Sequence, residues 1–136
     1  MKKIPSPREK LAGCVWLPRI LAKARLFQAG QLPPDYAANL CAPGRTDSVF
    51  MQHFGLSREE VLTAATWSDD KAADWFLSRS SAAQIEKWNE IAVNMGRPGY
   101  PLAERLPVAL ATVYRHVAHL KPATIFETLE ADEKEA

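Results

Sequence analysis

The sequence lacks the local motifs that most often reveal a chemistry. It has no GxSxG nucleophile motif and no glycine-rich phosphate loop. It has only two cysteines, Cys14 and Cys41, which are separated by 26 residues and do not form a CxxC pair. Neither a disulfide framework nor a redox motif is therefore indicated, and we expect two buried thiols.

Targeting and membrane signals are also missing. The opening "MKKIPSPREK" is basic, but two prolines and further charges follow where a signal peptide would carry 7 to 15 apolar residues. Hydrophobic residues make up 47% of the chain and charged residues 24%, which is ordinary for a folded soluble protein. We expect a cytoplasmic protein that is neither exported nor inserted into a membrane.

The sequence contains no run of strict apolar alternation bounded by hairpin turns, so it predicts no regular sheet. Helical spacing of apolar residues dominates instead. With 136 residues the chain can bury about two thirds of its unfolded surface in one core. We therefore predict an all-α fold with about six or seven short helices, in a single domain over residues 1–136 with flexible ends at 1–7 and 131–136.

Capping residues locate several of these helices. Ser57 stands three residues before Glu60, and Ser81 stands three before Gln84, as in a capping box. Ser68 or Asp69 can cap a helix that ends near residue 79, and Gly96 terminates the helix that begins after Ser81. After a loop of glycines and prolines at 96–101, the spacing of apolar residues predicts one helix from Pro107 to the residue before Pro122, and Thr124 and Glu127 can cap a last short helix.

Charge is distributed unevenly along the chain. Residues 1–34 carry seven Lys or Arg and one acid, whereas residues 35–136 carry ten Lys or Arg and fifteen acids. The predicted helix from about residue 17 to 30, "LPRILAKARLFQAG", contains three positive charges and no negative one. Arg19 and Lys23 lie four residues apart on one margin of its apolar stripe, and Arg25 lies near the other.

Three interpretations of this basic helix remain open. The cations can be solvated, with their stems covering the edge of the core. They can be neutralised by acids of the same chain, such as Asp35, Asp47 or the acidic C-terminal segment. They can also form a site for an anionic small molecule or an acidic peptide, and the residues of that candidate site are Arg8, Arg19, Lys23, Arg25 and Tyr36. A pI near 7.8 argues against nucleic acid as the partner.

Candidates for catalysis are few. Asp47 and His53 are the residues that could act as acid or base if the basic helix held a phosphorylated or carboxylated substrate. His116 and His119 are spaced i, i+3, but a zinc site needs three or four protein ligands, so we predict no metal and no cofactor. Most of the four tryptophans should anchor the core, although Trp16 or Trp67 could line a pocket.

Several segments together resemble a known family. They include "SPREKLAG", "LPRILAKARLFQAGQL", "SDDKAADWFL", "IEKWNE" and "TIFETLEADE". Over nearly the whole chain these are similar to the bacterial domain-of-unknown-function family 5069. The resemblance implies a small, mostly cytoplasmic bacterial protein without an established activity. Its members pair "SPR" with "LPR" and "KAR", which here supply the four cations of the candidate anion site.

These observations favour a non-enzymatic binding or regulatory module whose basic face recognises an anion. The alternative is a small enzyme that acts on a phosphorylated or carboxylated metabolite with Asp47 or His53 as acid or base. A third possibility is structural, with the acidic end of the chain packed over the basic helix.

Overall fold

Most of the chain is helical, as the sequence predicts. The structure, a computed structural model, describes residues 4–135. Within these residues there are nine helices, one of them a 3-10 helix, so the predicted number of six or seven is too low. Their bounds in chain order are α1 Leu17–Gln28, α2 Pro34–Ala37, α3 Thr46–Phe54, α4 Arg58–Ala64, α5 Asp69–Arg79, α6 Ala82–Asn94, α7 Arg105–Ala111, the 3-10 helix Arg115–Leu120 and α8 Ile125–Glu135.

A small hairpin precedes α1 and departs from the purely helical prediction. Strand β1, Lys10–Leu11, pairs in antiparallel register with β2, Cys14–Val15. The turn between them has φ of 55° at Ala12 and 74° at Gly13. Two successive positive φ angles match the twist that a two-residue hairpin needs. Two residues per strand are too few to show the alternation from which a strand is predicted.

The chain divides into two compact units, Met1–Trp88 and Asn89–Ala136, and the boundary falls within the sequence of α6. The predicted flexible ends are described only in part. Residues 1–3 and 136 lie outside the described range, whereas residues 131–135 continue α8. None of the helices between residues 4 and 135 has the length and apolar character needed to span a bilayer.

The predicted caps of α4, α5 and α6 are present. At α4, Ser57 Oγ accepts from Glu60 N at 3.1 Å, and the Glu60 carboxylate accepts from Ser57 N at 3.0 Å. At α5, Ser68 Oγ accepts from Lys71 N, and at α6 Ser81 Oγ accepts from the amide three residues on. These bonds satisfy helix N–H groups that have no partner within the helix, so local sequence suffices to begin each helix.

Aromatic rings form the core of the first unit. Phe50 lies with its ring centroid 5.3 Å from that of Trp88, and Phe54 lies 4.7 Å from Phe76 in an edge-to-face arrangement. The indole Nε1 of Trp88 donates to the carbonyl of Val15 at 2.9 Å. The buried ring of Trp88 is thereby joined by a hydrogen bond to strand β2.

In the second unit, the helix predicted between residues 107 and 121 is divided in two. Helix α7 ends at Ala111. The hydroxyl of the next residue, Thr112, donates to the carbonyl of Val108, and the 3-10 helix begins at Arg115. Of the apolar residues predicted to share one face, Val117 is buried, but Val113 and Leu120 are exposed. A β-branched residue such as Thr112, whose hydroxyl donates to a helix carbonyl, weakens the α-helix at that point. The spacing of apolar residues alone does not predict this break.

Loss of the cap at α4 should destabilise the first unit. We expect Ser57→Ala to lower the free energy of unfolding by about 1 kcal/mol, because the amides of α4 lose their side-chain acceptor. Urea denaturation followed by circular dichroism would measure the change.

Ser78→Ala is the matched control, because the Ser78 hydroxyl donates to the carbonyl of Trp75 within α5 and caps no helix. Equal loss of stability in the two variants would contradict a specific capping role for Ser57.

Candidate functional site at the start of helix α1

Helix α1 begins after a residue in an unusual conformation. Trp16 has φ of 75°, in the left-handed region that costs a residue with a Cβ about 1 kcal/mol or more. Its backbone N donates to Pro7 O at 3.2 Å, and its side chain is buried. Pro18 follows within the first turn, where a missing N–H is tolerated. The surrounding contacts of Trp16 must therefore offset the strain of its backbone.

The carboxylate of Asp47, in α3, is the centre of those contacts. Oδ1 accepts from the indole Nε1 of Trp16 at 2.8 Å and from Lys23 Nζ at 2.9 Å. Oδ2 accepts from Lys23 Nζ at 3.0 Å and from the backbone N of Cys41 at 2.8 Å. Asp47 is fully buried, with 0% of its surface exposed. Cys41, like Trp16, has a positive φ, here 55°, so two strained residues converge on one buried carboxylate.

Lys23 is therefore neutralised by an acid of the same chain, Asp47. This is one of the three interpretations that the sequence left open. Only 3% of Lys23 is exposed. Burial lowers the pKa of Lys23, and the neighbouring Arg19 acts in the same direction, whereas the charge and hydrogen bonds of Asp47 oppose that shift. An isolated buried ammonium would be costly, so the bidentate contact with Asp47 is what allows a lysine at this position.

Arg19 lies one turn before Lys23 and is also buried, with 2% exposed. Its guanidinium carbon lies 5.3 Å from the ring centroid of Trp16 and 5.8 Å from that of Tyr36, in cation–π geometry. Nη1 donates to Pro5 O at 3.0 Å. Arg19 and Tyr36, two of the predicted anion-binding residues, are therefore neighbours.

Arg8 belongs to the segment that packs over the start of α1, because Pro5 and Pro7 accept the hydrogen bonds from Arg19 and Trp16. The Arg8 side chain is exposed. The structure thus places Arg8 in a segment whose backbone contacts α1 through Arg19.

Arg25, the fifth predicted residue, is engaged elsewhere. Its guanidinium donates to Asp69 Oδ1 at 2.8 Å, to Ala65 O at 2.9 Å and to Trp67 O at 3.0 Å. The two carbonyls belong to the turn between α4 and α5, and Asp69 is the first residue of α5. Arg25 therefore holds that turn against α1, and its charge is balanced by Asp69.

The two predicted acid/base residues have internal partners. Asp47 is the buried acceptor described above, and His53 Nε2 lies 2.9 Å from Gln84 O, with its ring against Phe54 and Trp88. Among residues 4–135, no group of three or more His, Cys, Asp or Glu side chains is arranged to hold a metal ion.

Sequence reasoning did not identify two parts of this cluster. It considered Trp16 as a pocket residue, whereas the indole N–H serves a buried carboxylate. It also treated Cys41 as a buried thiol, whereas Cys41 is only half-buried and its backbone N–H is the group that contacts Asp47. The position of Trp16, directly before a helix with proline in its first turn, was a weak signal for the role of its indole. The backbone contact of Cys41 could not be predicted, because any residue other than proline has the same N–H group.

The buried ion pair gives a prediction about stability. We expect Asp47→Asn and Lys23→Met each to lower the free energy of unfolding by about 3 to 5 kcal/mol, because either change leaves the other group charged and buried. The double variant should lose less than the sum of the two, since it buries no lone charge. Urea denaturation of the four proteins completes the double-mutant cycle.

Asp69→Asn is the control for this cycle. The Asp69 side chain is 64% exposed in its ion pair with Arg25, so its replacement should cost at most about 1 kcal/mol. Strictly additive losses for Lys23 and Asp47 would contradict a coupled pair.

The buried thiol of Cys14 gives a prediction about pH. Burial raises the pKa of Cys14 from 9.0 to about 12. Between these values the folded state holds a proton that the unfolded state releases, so stability falls as pH rises above 9, by up to about 1.4 kcal/mol per pH unit. Cys14→Ala should therefore show a flatter loss of stability from pH 9 to 11 than the parent protein in urea titrations. Parallel pH profiles would contradict the shift.

Comparison with known proteins gives a family but no function. No curated protein and no solved structure matches the chain significantly. The sequence profile described as a domain of unknown function (DUF5069) matches residues 1–135. The chain therefore belongs to the domain-of-unknown-function family 5069.

Proposed function

We propose that this protein is a non-enzymatic binding module that recognises an anionic group, carried by a small molecule or an acidic peptide, through Arg8 and Tyr36 near the start of helix α1. The observation that carries the proposal is the arrangement of Arg19, whose guanidinium lies against the rings of Trp16 and Tyr36. Arg19 is too buried to be the first contact of a ligand. It positions the Tyr36 ring and supplies positive potential beneath it.

The outer contacts of the ligand come from residues that solvent reaches. Arg8 is exposed and Tyr36 is half-buried, and both side chains suit an anion. A guanidinium donates two parallel hydrogen bonds to a phosphate or carboxylate, and a phenol hydroxyl donates one. Lys23 and Arg25 have scaffold roles in this proposal, because Asp47 and Asp69 already balance their charges.

Binding is favoured over catalysis by the state of the two acid/base candidates. Asp47 accepts hydrogen bonds at both oxygens from three donors and has no exposed surface. His53 Nε2 already lies within hydrogen-bond distance of a backbone carbonyl. A general acid or base must instead reach the substrate atom whose proton it transfers.

Ligand-dependent stability tests the proposal. Inorganic phosphate, citrate, ATP and a glutamate-rich peptide would be titrated in thermal unfolding, with isothermal calorimetry for any that act. A ligand of this site should raise the midpoint with concentration, equivalent to about 2.7 kcal/mol at 100 times Kd. We expect Arg8→Ala and Tyr36→Phe to weaken binding by at least about fivefold, the loss of one hydrogen bond to a charged group.

Lys10→Ala is the matched control, because Lys10 is an exposed cation two residues from Arg8. It should leave the affinity within about twofold at moderate salt, where exposed charges are screened. A flat response to all four ligands, or equal weakening by the Lys10 and Arg8 changes, would overturn the proposal.

A further inference from the structure

A second candidate site lies on α4 and α5, in the first unit. A cavity of about 180 Å³ is lined by Glu59, Glu60, Thr63, Trp67 and Trp75. The expectation that Trp16 or Trp67 lines a pocket is thus met by Trp67. The cavity is smaller than the 300 to 1,000 Å³ of a typical site for a drug-sized ligand, so it suits a small head group.

Two indole rings form adjoining walls of this cavity. The ring centroids of Trp67 and Trp75 are 5.8 Å apart and their planes meet at 75°. Both rings are half-buried rather than part of the core. Perpendicular walls present electron-rich faces in two directions, and this arrangement suits a cation with apolar substituents.

The remaining lining residues add negative charge and no positive charge. The Glu60 carboxylate is committed to the cap of α4 and to an ion pair with Arg79. Glu59 is exposed and, among the described residues, makes no hydrogen bond or ion pair. Glu59 is therefore the carboxylate that remains available to a cationic ligand.

Two cations of the chain itself already make cation–π contacts with these rings. Lys71 Nζ lies 4.7 Å from the ring centroid of Trp67, and the guanidinium carbon of Arg79 lies 5.6 Å from that of Trp75. Both contacts fall within the distance at which the ring quadrupole attracts a positive charge. A cationic ligand must therefore share these rings with Lys71 and Arg79 or displace them.

The walls are held in position by bonds already described. The carbonyls of Ala65 and Trp67 and the carboxylate of Asp69 all accept from Arg25, and the caps at Ser57 and Ser68 begin the two helices. A ligand would meet two rings already fixed by the fold, which reduces the entropy lost on binding.

We propose that this cavity binds a quaternary ammonium head group, with Trp67 and Trp75 as its walls and Glu59 as its counter-charge. A quaternary ammonium carries its charge on methyl groups and has no N–H to satisfy, so two aromatic faces and one carboxylate suffice. A primary ammonium is more strongly hydrated, so it loses more than a quaternary ammonium when it leaves water for two indole faces.

Titration of the intact protein with choline tests this inference, with intrinsic tryptophan fluorescence and calorimetry as readouts. The uncharged carbon analogue, 3,3-dimethylbutan-1-ol, has the same shape without the charge. We expect choline to bind and the analogue to bind at least roughly tenfold more weakly. A trimethyllysine peptide, compared with its unmodified form, shows whether the head group can also come from a protein.

Variants separate the site from general effects. We expect Glu59→Gln to weaken choline binding roughly threefold to tenfold, the loss of one partly exposed charge contact. Glu86→Gln, which changes an exposed acid on α6, should leave it unchanged. Trp75→Leu should abolish binding, with circular dichroism to confirm folding, and Glu59→Gln remains informative if that variant fails to fold.

The inference is overturned if choline and its carbon analogue bind equally, if neither binds, or if Glu59→Gln and Glu86→Gln have the same effect. It stands apart from the anion proposal, because Arg8→Ala should not alter choline binding and Glu59→Gln should not alter anion binding.

Discussion

The carboxylate of Asp47 ties together three segments that are far apart in the sequence. Its hydrogen bonds reach Trp16 before α1, Lys23 within α1, and the backbone of Cys41 before α3. A buried carboxylate is tolerated only when its oxygens are satisfied, so all three segments must take up their places together. Two of these donors, the indole of Trp16 and the backbone N–H of Cys41, belong to residues with positive φ angles.

This constraint explains why a helix with three cations and no acid is stable. Each cation has a different partner. Lys23 donates to the carboxylate of Asp47, and Arg25 donates to the turn between α4 and α5. Arg19 lies against the rings of Trp16 and Tyr36. The positive charge of α1 is thus distributed over contacts that orient neighbouring segments. Both proposed sites depend on it, because Arg19 orients Tyr36 and Arg25 fixes the turn that carries Trp67.

Helix boundaries that rest on local bonds were predictable. The starts of α4, α5 and α6 follow from Ser57, Ser68 and Ser81, whose hydroxyls accept from amides three residues away. The break after α7 was not predictable in this way. Apolar spacing continues through Thr112 as if one helix ran on, and only the contacts that bury Val117 but leave Val113 exposed show the change to a 3-10 helix.

Charge counting along the chain correctly singled out the first 34 residues as basic and α1 as the helix that concentrates this charge. It also named Asp47 as one possible neutralising acid. The sequence alone does not show whether Asp47, Asp35 or the acidic C-terminal segment pairs with these cations. Ion pairs form between residues that are close in space, and the sequence of a helix does not determine which acid lies beside it. The tertiary structure made that choice, since among the described residues Asp47 in α3 is the carboxylate that lies within hydrogen-bond distance of Lys23 Nζ.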